Sequence, residues 1–336
     1  MTTVYFGTNR NLIQKGKKAT FGKDFSGVDM ADLRFGKCEV DVPSETVKQV
    51  EVYPEALEVE PRVLGSVALL NELKQSMVDN ERDTILFVHG FNVDFNSAML
   101  AGAKMTERYG TQGPPIGEAI AKDYNVFVFT WPSKGDPLRY KSDRLAASNS
   151  GHALWRACSK LVEFLKGIQR GDDCAQRLHL VAHSMGNYVL RQAVQGMIRF
   201  HGSRELPRVF DHTLLFAADE DADTFEHDHK LRRLHQLTRS TTVYFNGGDL
   251  PLDISDQLKG NPDRLGDRGP ANPWAVPRDT TLVDATPSVT GSIEHDYYLS
   301  VDRVVADARA VLAGRHADTI PHRTPVANAN HYRLDA

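Results

Sequence analysis

The chain has 336 residues, 41% of them hydrophobic and 25% charged, with a formal net charge of -4, which suits one large α/β domain or two smaller ones. That charge gives no electrostatic reason to expect nucleic acid or an anionic membrane as partner, and no apolar run approaches the ~18 residues of a membrane span. Met1–Gly7 lacks a basic region leading into an apolar core, and Cys38, Cys158 and Cys174 form no Cys-x-x-Cys pair, so the chain reads as cytoplasmic with reduced thiols.

Residues 1–60 differ from the rest. Thr3–Phe6, Arg34–Pro43, Val50–Tyr53 and Leu57–Val59 have the alternation of half-buried strands, with a turn at Gly7–Asn11. They hold too few large apolar residues for a core of their own, so they are expected to form an antiparallel β extension packed on a larger sheet.

From about residue 61 the pattern becomes β-α-β and continues to 314. Val67–Met77 carries apolar residues at helical spacing. Thr84–Val88 is a fully apolar strand running into His89-Gly90-Phe91-Asn92, and the helix Phe95–Tyr109 follows until Gly113, Pro114 and Pro115 break it. Asn125–Thr130 is the next buried strand. It ends in Trp131–Pro137, and strand C-terminal ends are where open parallel sheets bind ligands. Trp131, Ser133 and Tyr140 are therefore candidates for a substrate-pocket wall. A long helix covers Asp143–Ile168.

The strand Leu178–Ala182 turns abruptly at Ser184 into the amphipathic helix Asn187–Ile198. Strands Thr213–Ala218, Thr241–Phe245 and Thr280–Asp284 deliver, in turn, Asp219, Asp249 and the segment that reaches His295. The last helix is expected over Tyr297–Leu312. Loops at 110–142 and 250–278, rich in proline and glycine, are expected to lie like a cap over the site. Residues 315–336 show no apolar period and are expected to be a flexible tail. The expected fold is thus α/β: a mostly parallel central sheet flanked by helices, with an N-terminal antiparallel β extension.

Ala182-x-Ser184-x-Gly186 has the spacing of a nucleophile elbow, with alanine at its first small position. Small residues are needed there because strand and helix backbones nearly touch. The turn lifts the serine hydroxyl clear, and the Met185 amide at the helix N-terminus faces a developing oxyanion. Gly90 lets the Phe91 amide join it. The order serine, acid, histidine over successive strands is the one found on α/β-hydrolase sheets. Ser184 is then the nucleophile, His295 the general base and Asp249 the orienting acid, with Asp219 as the alternative acid. His183 and His89 are expected to pack or support rather than carry protons. His227 and His229 lack the spacing of a zinc motif; no metal and no cofactor are expected.

Gly7–Arg10, Phe35–Pro43, Phe87–Asn92, Trp131–Ser133, His183–Asn187, Asp219 and His295 together resemble the DUF900 family of bacterial α/β hydrolases. The resemblance implies serine esterase or lipase-like chemistry with Ser184 as nucleophile and His295 as base. The expected substrate is a small-molecule carboxylic ester. A thioesterase, amidase or lipase would use the same residues, and a non-catalytic scaffold would keep the same sheet. Neither nucleic acid nor an integral membrane span is expected, and the oligomeric state is left open.

Overall fold

Each central strand is apolar on both of its faces, and the protein accordingly builds a sheet covered by helices on both sides. The computed structural model describes residues 1–16, 18–27, 32–53, 64–117, 121–168, 176–202, 204–249, 263–291, 295–326 and 330–336. Eleven described strands form one sheet. Its members are β1 (Thr2–Thr8), β4 (Arg34–Asp41), β5 (Thr46–Tyr53), β6 (Asp83–Val88), β7 (Tyr124–Thr130), β8 (Leu178–His183), β9 (Phe210–Phe216), β10 (Thr238–Phe245), β11 (Thr280–Asp284), β12 (Arg323–Pro325) and β13 (His331–Leu334). Their spatial order is β12-β13-β11-β10-β9-β8-β6-β7-β1-β4-β5. The run from β13 to β1 is parallel throughout.

β4 and β5 add antiparallel strands at one edge. Strand β1 joins the parallel part directly, with Tyr5 to Thr8 in register with Phe127 to Thr130 of β7. β2 (Arg10–Lys15) and β3 (Lys18–Phe25) form a separate hairpin. The strand expected at Leu57–Val59 lies outside the described residues.

Period-two alternation divides the core. In β6, Leu86 and Val88 face one side, where they pack with α1 (Gly65–Asp79), α3 (Tyr140–Ile168) and α4 (Gly186–His201). Ile85 and Phe87 face the other, with α2 (Phe95–Tyr109) and α5 (Asp302–Leu312). Asp94 caps α2 by accepting from the Ser97 amide. The expected final helix is two pieces: a single turn at Tyr297–Ser300, then a break at Val301 before α5.

The C-terminal segment differs from the flexible tail expected for 315–336. β13 pairs in parallel with β11, and β12 folds back on β13. Arg323 forms a two-point ion pair with Asp307 of α5 at 2.7 Å on both sides, and Asp307 also accepts from the Tyr244 hydroxyl at 2.6 Å. Leu334 is fully buried. Docking therefore comes from one buried ion pair and a few side chains rather than from an apolar stripe.

Among the described residues no helix is long and apolar enough to cross a membrane. Cys38 and Cys158 are free and buried, and burial pushes each thiol pKa up to about 12. Cys174 lies outside the described residues.

Candidate active site

The C-terminal ends of the parallel strands converge around Ser184. This residue has φ +51°, a left-handed conformation that costs a non-glycine residue on the order of 1–3 kcal/mol. Neighbouring backbone holds it there. The Ser184 amide donates to Phe216 O at 3.0 Å, and its carbonyl accepts from the amides of Asp219 and Asn187 and from the Asn187 side chain. Gly186 is required by close approach: a Cβ there would stand 2.3 Å from Val88 O. The first turn of α4 thus lies directly on the end of β6.

The loop after β6 presses on the serine from the other side. A Cβ on Gly90 would come 2.8 Å from Ser184 Cβ. Asn92, next to Phe91, takes φ +60°. Met185 is fully buried, yet among the described residues neither its amide nor that of Phe91 has an acceptor. Met185 follows Ser184 at the head of α4, where the first amides of a helix have no intrahelical acceptor.

His295 and Asp249 are brought together. Asp249 is fully buried after β10, and its Oδ2 and Oδ1 accept from His295 Nδ1 at 2.8 and 3.0 Å. Burial alone would lower the His295 pKa; the hydrogen bond to Asp249 and its charge outweigh burial and raise it above the ordinary value of 6.5. With Nδ1 donating, Nε2 is left as the ring's basic atom.

Asp219, the alternative acid, is otherwise engaged. It accepts from the Tyr140 hydroxyl at 2.6 Å and lies 3.4 Å from Arg264 Nε and 3.5 Å from Arg144. Its link to the serine is the backbone bond already described.

The three expected pocket residues part ways. Tyr140 is half-buried and lies edge-on to Phe91 with ring centroids 5.4 Å apart. Trp131 and Ser133 are instead fully buried, which corrects their placement on a pocket wall. Trp131 stacks on His89 and donates from Nε1 to His89 O at 2.9 Å. Ser133 donates to Asp143 Oδ2 at 2.6 Å and accepts from the Val93 amide. Both brace the loop that carries Phe91. A strand-end position places a residue near a site without setting which way its side chain points.

His89 belongs to the same brace. The Trp131 amide donates to its Nε2, so the proton sits on Nδ1 and is given to Gly90 O at 2.9 Å. Burial, with Arg10 nearby, holds its pKa well below 6.5 and keeps it neutral.

His183, expected only to pack, has a further contact. Its Nε2 donates to His295 O at 3.1 Å, and its ring lies 4.7 Å from that of His295 and 4.4 Å from Tyr298. The residue beside Ser184 thus fastens the segment that carries His295. Burial and the charge of His295 hold the His183 pKa well below 6.5. Adjacency to Ser184 was its only sequence signal. Of the cap-like loop at 250–278, residues 263–278 are described, and Arg264 is its contribution to the site. Among the described residues no group of three or more metal-ligating side chains occurs.

A family model described as alpha/beta hydrolase of unknown function (DUF900) matches residues 67–315. The chain belongs to this family. An uncharacterized protein of Nostoc sp., alr1448, is 27% identical over 128 residues, covering 34% of this chain and 31% of that protein. The chain therefore aligns with about a third of that curated relative's length. Among solved structures, an esterase of Rhizomucor miehei is 8% identical with a TM-score of 0.37, covering 93% of this chain and 84% of that one. The lin2722 product of Listeria innocua is 11% identical with a TM-score of 0.32, covering 76% and 99%. A Trichoderma reesei cutinase bound to a phosphonate inhibitor is 12% identical with a TM-score of 0.29, covering 75% and 91%.

Proposed function

We propose that this member of the DUF900 family is a serine hydrolase acting on small-molecule carboxylic esters. Ser184 Oγ attacks the acyl carbon and passes its proton to His295 Nε2. The Phe91 and Met185 amides hold the oxyanion, and the imidazolium returns the proton to the departing alcohol. Water then repeats the sequence on the acyl-enzyme, with His295 as base again. Asp249 keeps the imidazole in its Nδ1–H tautomer and stabilises its charged form.

The observation that carries this reading is the 2.8 Å bond from His295 to the buried Asp249, in a chain whose Ser184 takes a strained backbone conformation. A histidine held by a buried carboxylate and a strained serine are features of functional sites rather than of ordinary helix caps. Tyr140 packs edge-on against Phe91, and Arg144, its guanidinium 3.9 Å over the Tyr188 ring, lies beside Tyr140.

The test is a fluorophosphonate probe followed by a p-nitrophenyl ester chain-length series. The expected result is labelling and turnover in the wild type, with both lost in Ser184→Ala. A wild type that neither labels nor turns over any ester would overturn the proposal.

A further inference from the structure

Arg10 is fully buried at the start of β2, outside the residues 67–315 matched by the family model. Among the described residues no carboxylate lies within ion-pair distance of its guanidinium, which is unusual for a buried cation. Four oxygens from three other segments surround it. Nη2 donates to Val93 O at 2.8 Å, Nη1 to Ser133 O and Gly22 O at 3.1 Å, and Nε to Thr130 Oγ1 at 2.9 Å. Thr130 Oγ1 in turn lies 3.0 Å from His89 Nε2.

The two ends of this chain of bonds bracket Phe91. Val93 is two residues after it and His89 two residues before it. We propose that Arg10 is a positioning residue for the oxyanion site: it holds both flanks of the β6–α2 loop so that the Phe91 amide keeps its place beside Ser184. The inference rests on the serine-hydrolase reading above and deepens it. It also gives the N-terminal strands a task in the site beyond extending the sheet.

Guanidinium chemistry suits this task. Its planar fork serves several acceptors in fixed directions, whereas a lysine ammonium is a single point charge that reaches fewer of them together. Asp94 and Asp143 supply opposite charge at longer range. Ser133 completes the clasp: its carbonyl accepts from Arg10 while its hydroxyl accepts from the Val93 amide. Val93 is thus gripped at both its N–H and its carbonyl.

The test compares Arg10→Met, Arg10→Lys and Thr130→Val with Val4→Ala, which removes buried volume from neighbouring β1 without touching the loop. Steady-state ester kinetics are combined with hydrogen exchange of the 89–94 segment. Arg10→Met should lower kcat by about 10²-fold with KM changed by less than about threefold, because a misplaced oxyanion donor weakens transition-state rather than ground-state binding. Arg10→Lys and Thr130→Val should fall between Arg10→Met and the wild type. Val4→Ala should lower Tm and leave kcat unchanged. Exchange should rise at 91–93 in the Arg10 and Thr130 variants and stay unchanged at the elbow, 183–187.

Folded Arg10 variants with wild-type kcat and wild-type exchange at 91–93 would overturn the proposal. If Arg10→Met does not fold, the lysine and valine variants decide by the same two readouts. If the wild type turns over no ester and takes no probe, the hydrolase reading fails. Hydrogen exchange then still decides whether Arg10 holds the loop.

Discussion

Asp249 and His295, 46 residues apart in sequence, are joined by a hydrogen bond of 2.8 Å, while Asp219 is occupied by Tyr140, Arg264 and Arg144. Asp249→Asn should therefore lower kcat by roughly 10⁴-fold, and Asp219→Asn by far less. The pH profile provides an independent check. A general base must be neutral, and the Asp249 interaction raises the His295 pKa, so the acid limb of kcat/KM should lie above pH 6.5. In Asp249→Asn burial is opposed only by the smaller effects of the Asp296 and Asp219 charges, and the residual activity should show an acid limb at lower pH. A larger loss in Asp219→Asn would move the acid role back one strand.

Gly90 and Ser184 are in contact across two different strand ends, and a Cβ on Gly90 would stand 2.8 Å from Ser184 Cβ. Neither group can yield easily, because Ser184 is tied by its amide and carbonyl and Gly90 leads into the braced loop. Gly90→Ala should thus displace the serine by a fraction of an ångström and cost about 10²-fold in kcat, while Tm falls by only a few degrees. Loss of probe labelling with the far-ultraviolet circular dichroism retained would show that the damage is local. Unchanged labelling rates in the variant would contradict this close approach.

The central sheet was legible because parallel strands buried on both faces, such as Thr84–Val88 and Leu178–Ala182, read as unbroken apolar runs. The elbow was legible from its spacing, and the family resemblance added Gly7–Arg10 without giving Arg10 a role. Side-chain direction at strand ends was not legible: Trp131 and Ser133 turn inward to brace a loop, whereas the Tyr140 hydroxyl reaches Asp219. Contacts between distant segments were also hidden. Nothing in the sequence near Arg10 announces Val93 or Ser133, and His183 shows its bond to His295 only once β8 and the 295 segment are set side by side. The C-terminal strands were missed because each is three or four residues long and only Tyr332 and Leu334 of β13 are buried, so no period could emerge.

Those C-terminal strands give a stability prediction. Arg323 and Asp307 are both about 1% exposed and are joined at two points. Among the described residues, Arg323→Leu leaves a buried carboxylate with only the Tyr244 hydroxyl as partner, which should destabilise the fold by about 3–5 kcal/mol. The double variant Arg323→Leu/Asp307→Leu should recover a large part of that loss, because no uncompensated charge remains. Urea unfolding of the two variants separates these outcomes. A single variant as stable as the wild type would mean that the C-terminal strands contribute little to the folded state.

His212 supplies a pH dependence away from the active site. Burial, and next the charge of His179 stacked 5.4 Å away, lower its pKa to about 4. The unfolded chain binds a proton here near pH 6.5 and the folded chain does not. Stability from this group is therefore complete above pH 6.5 and is lost as pH falls toward 4, by about 1.4 kcal/mol per pH unit. His212→Gln can still hydrogen-bond Ser240 and does not titrate. Whatever its loss of stability at pH 7.5, the variant should gain on the wild type by roughly 2 °C in Tm for the first unit below pH 6.5. A Tm difference that stays constant from pH 7.5 to 5.5 would mean that His212 takes up its proton in the folded state.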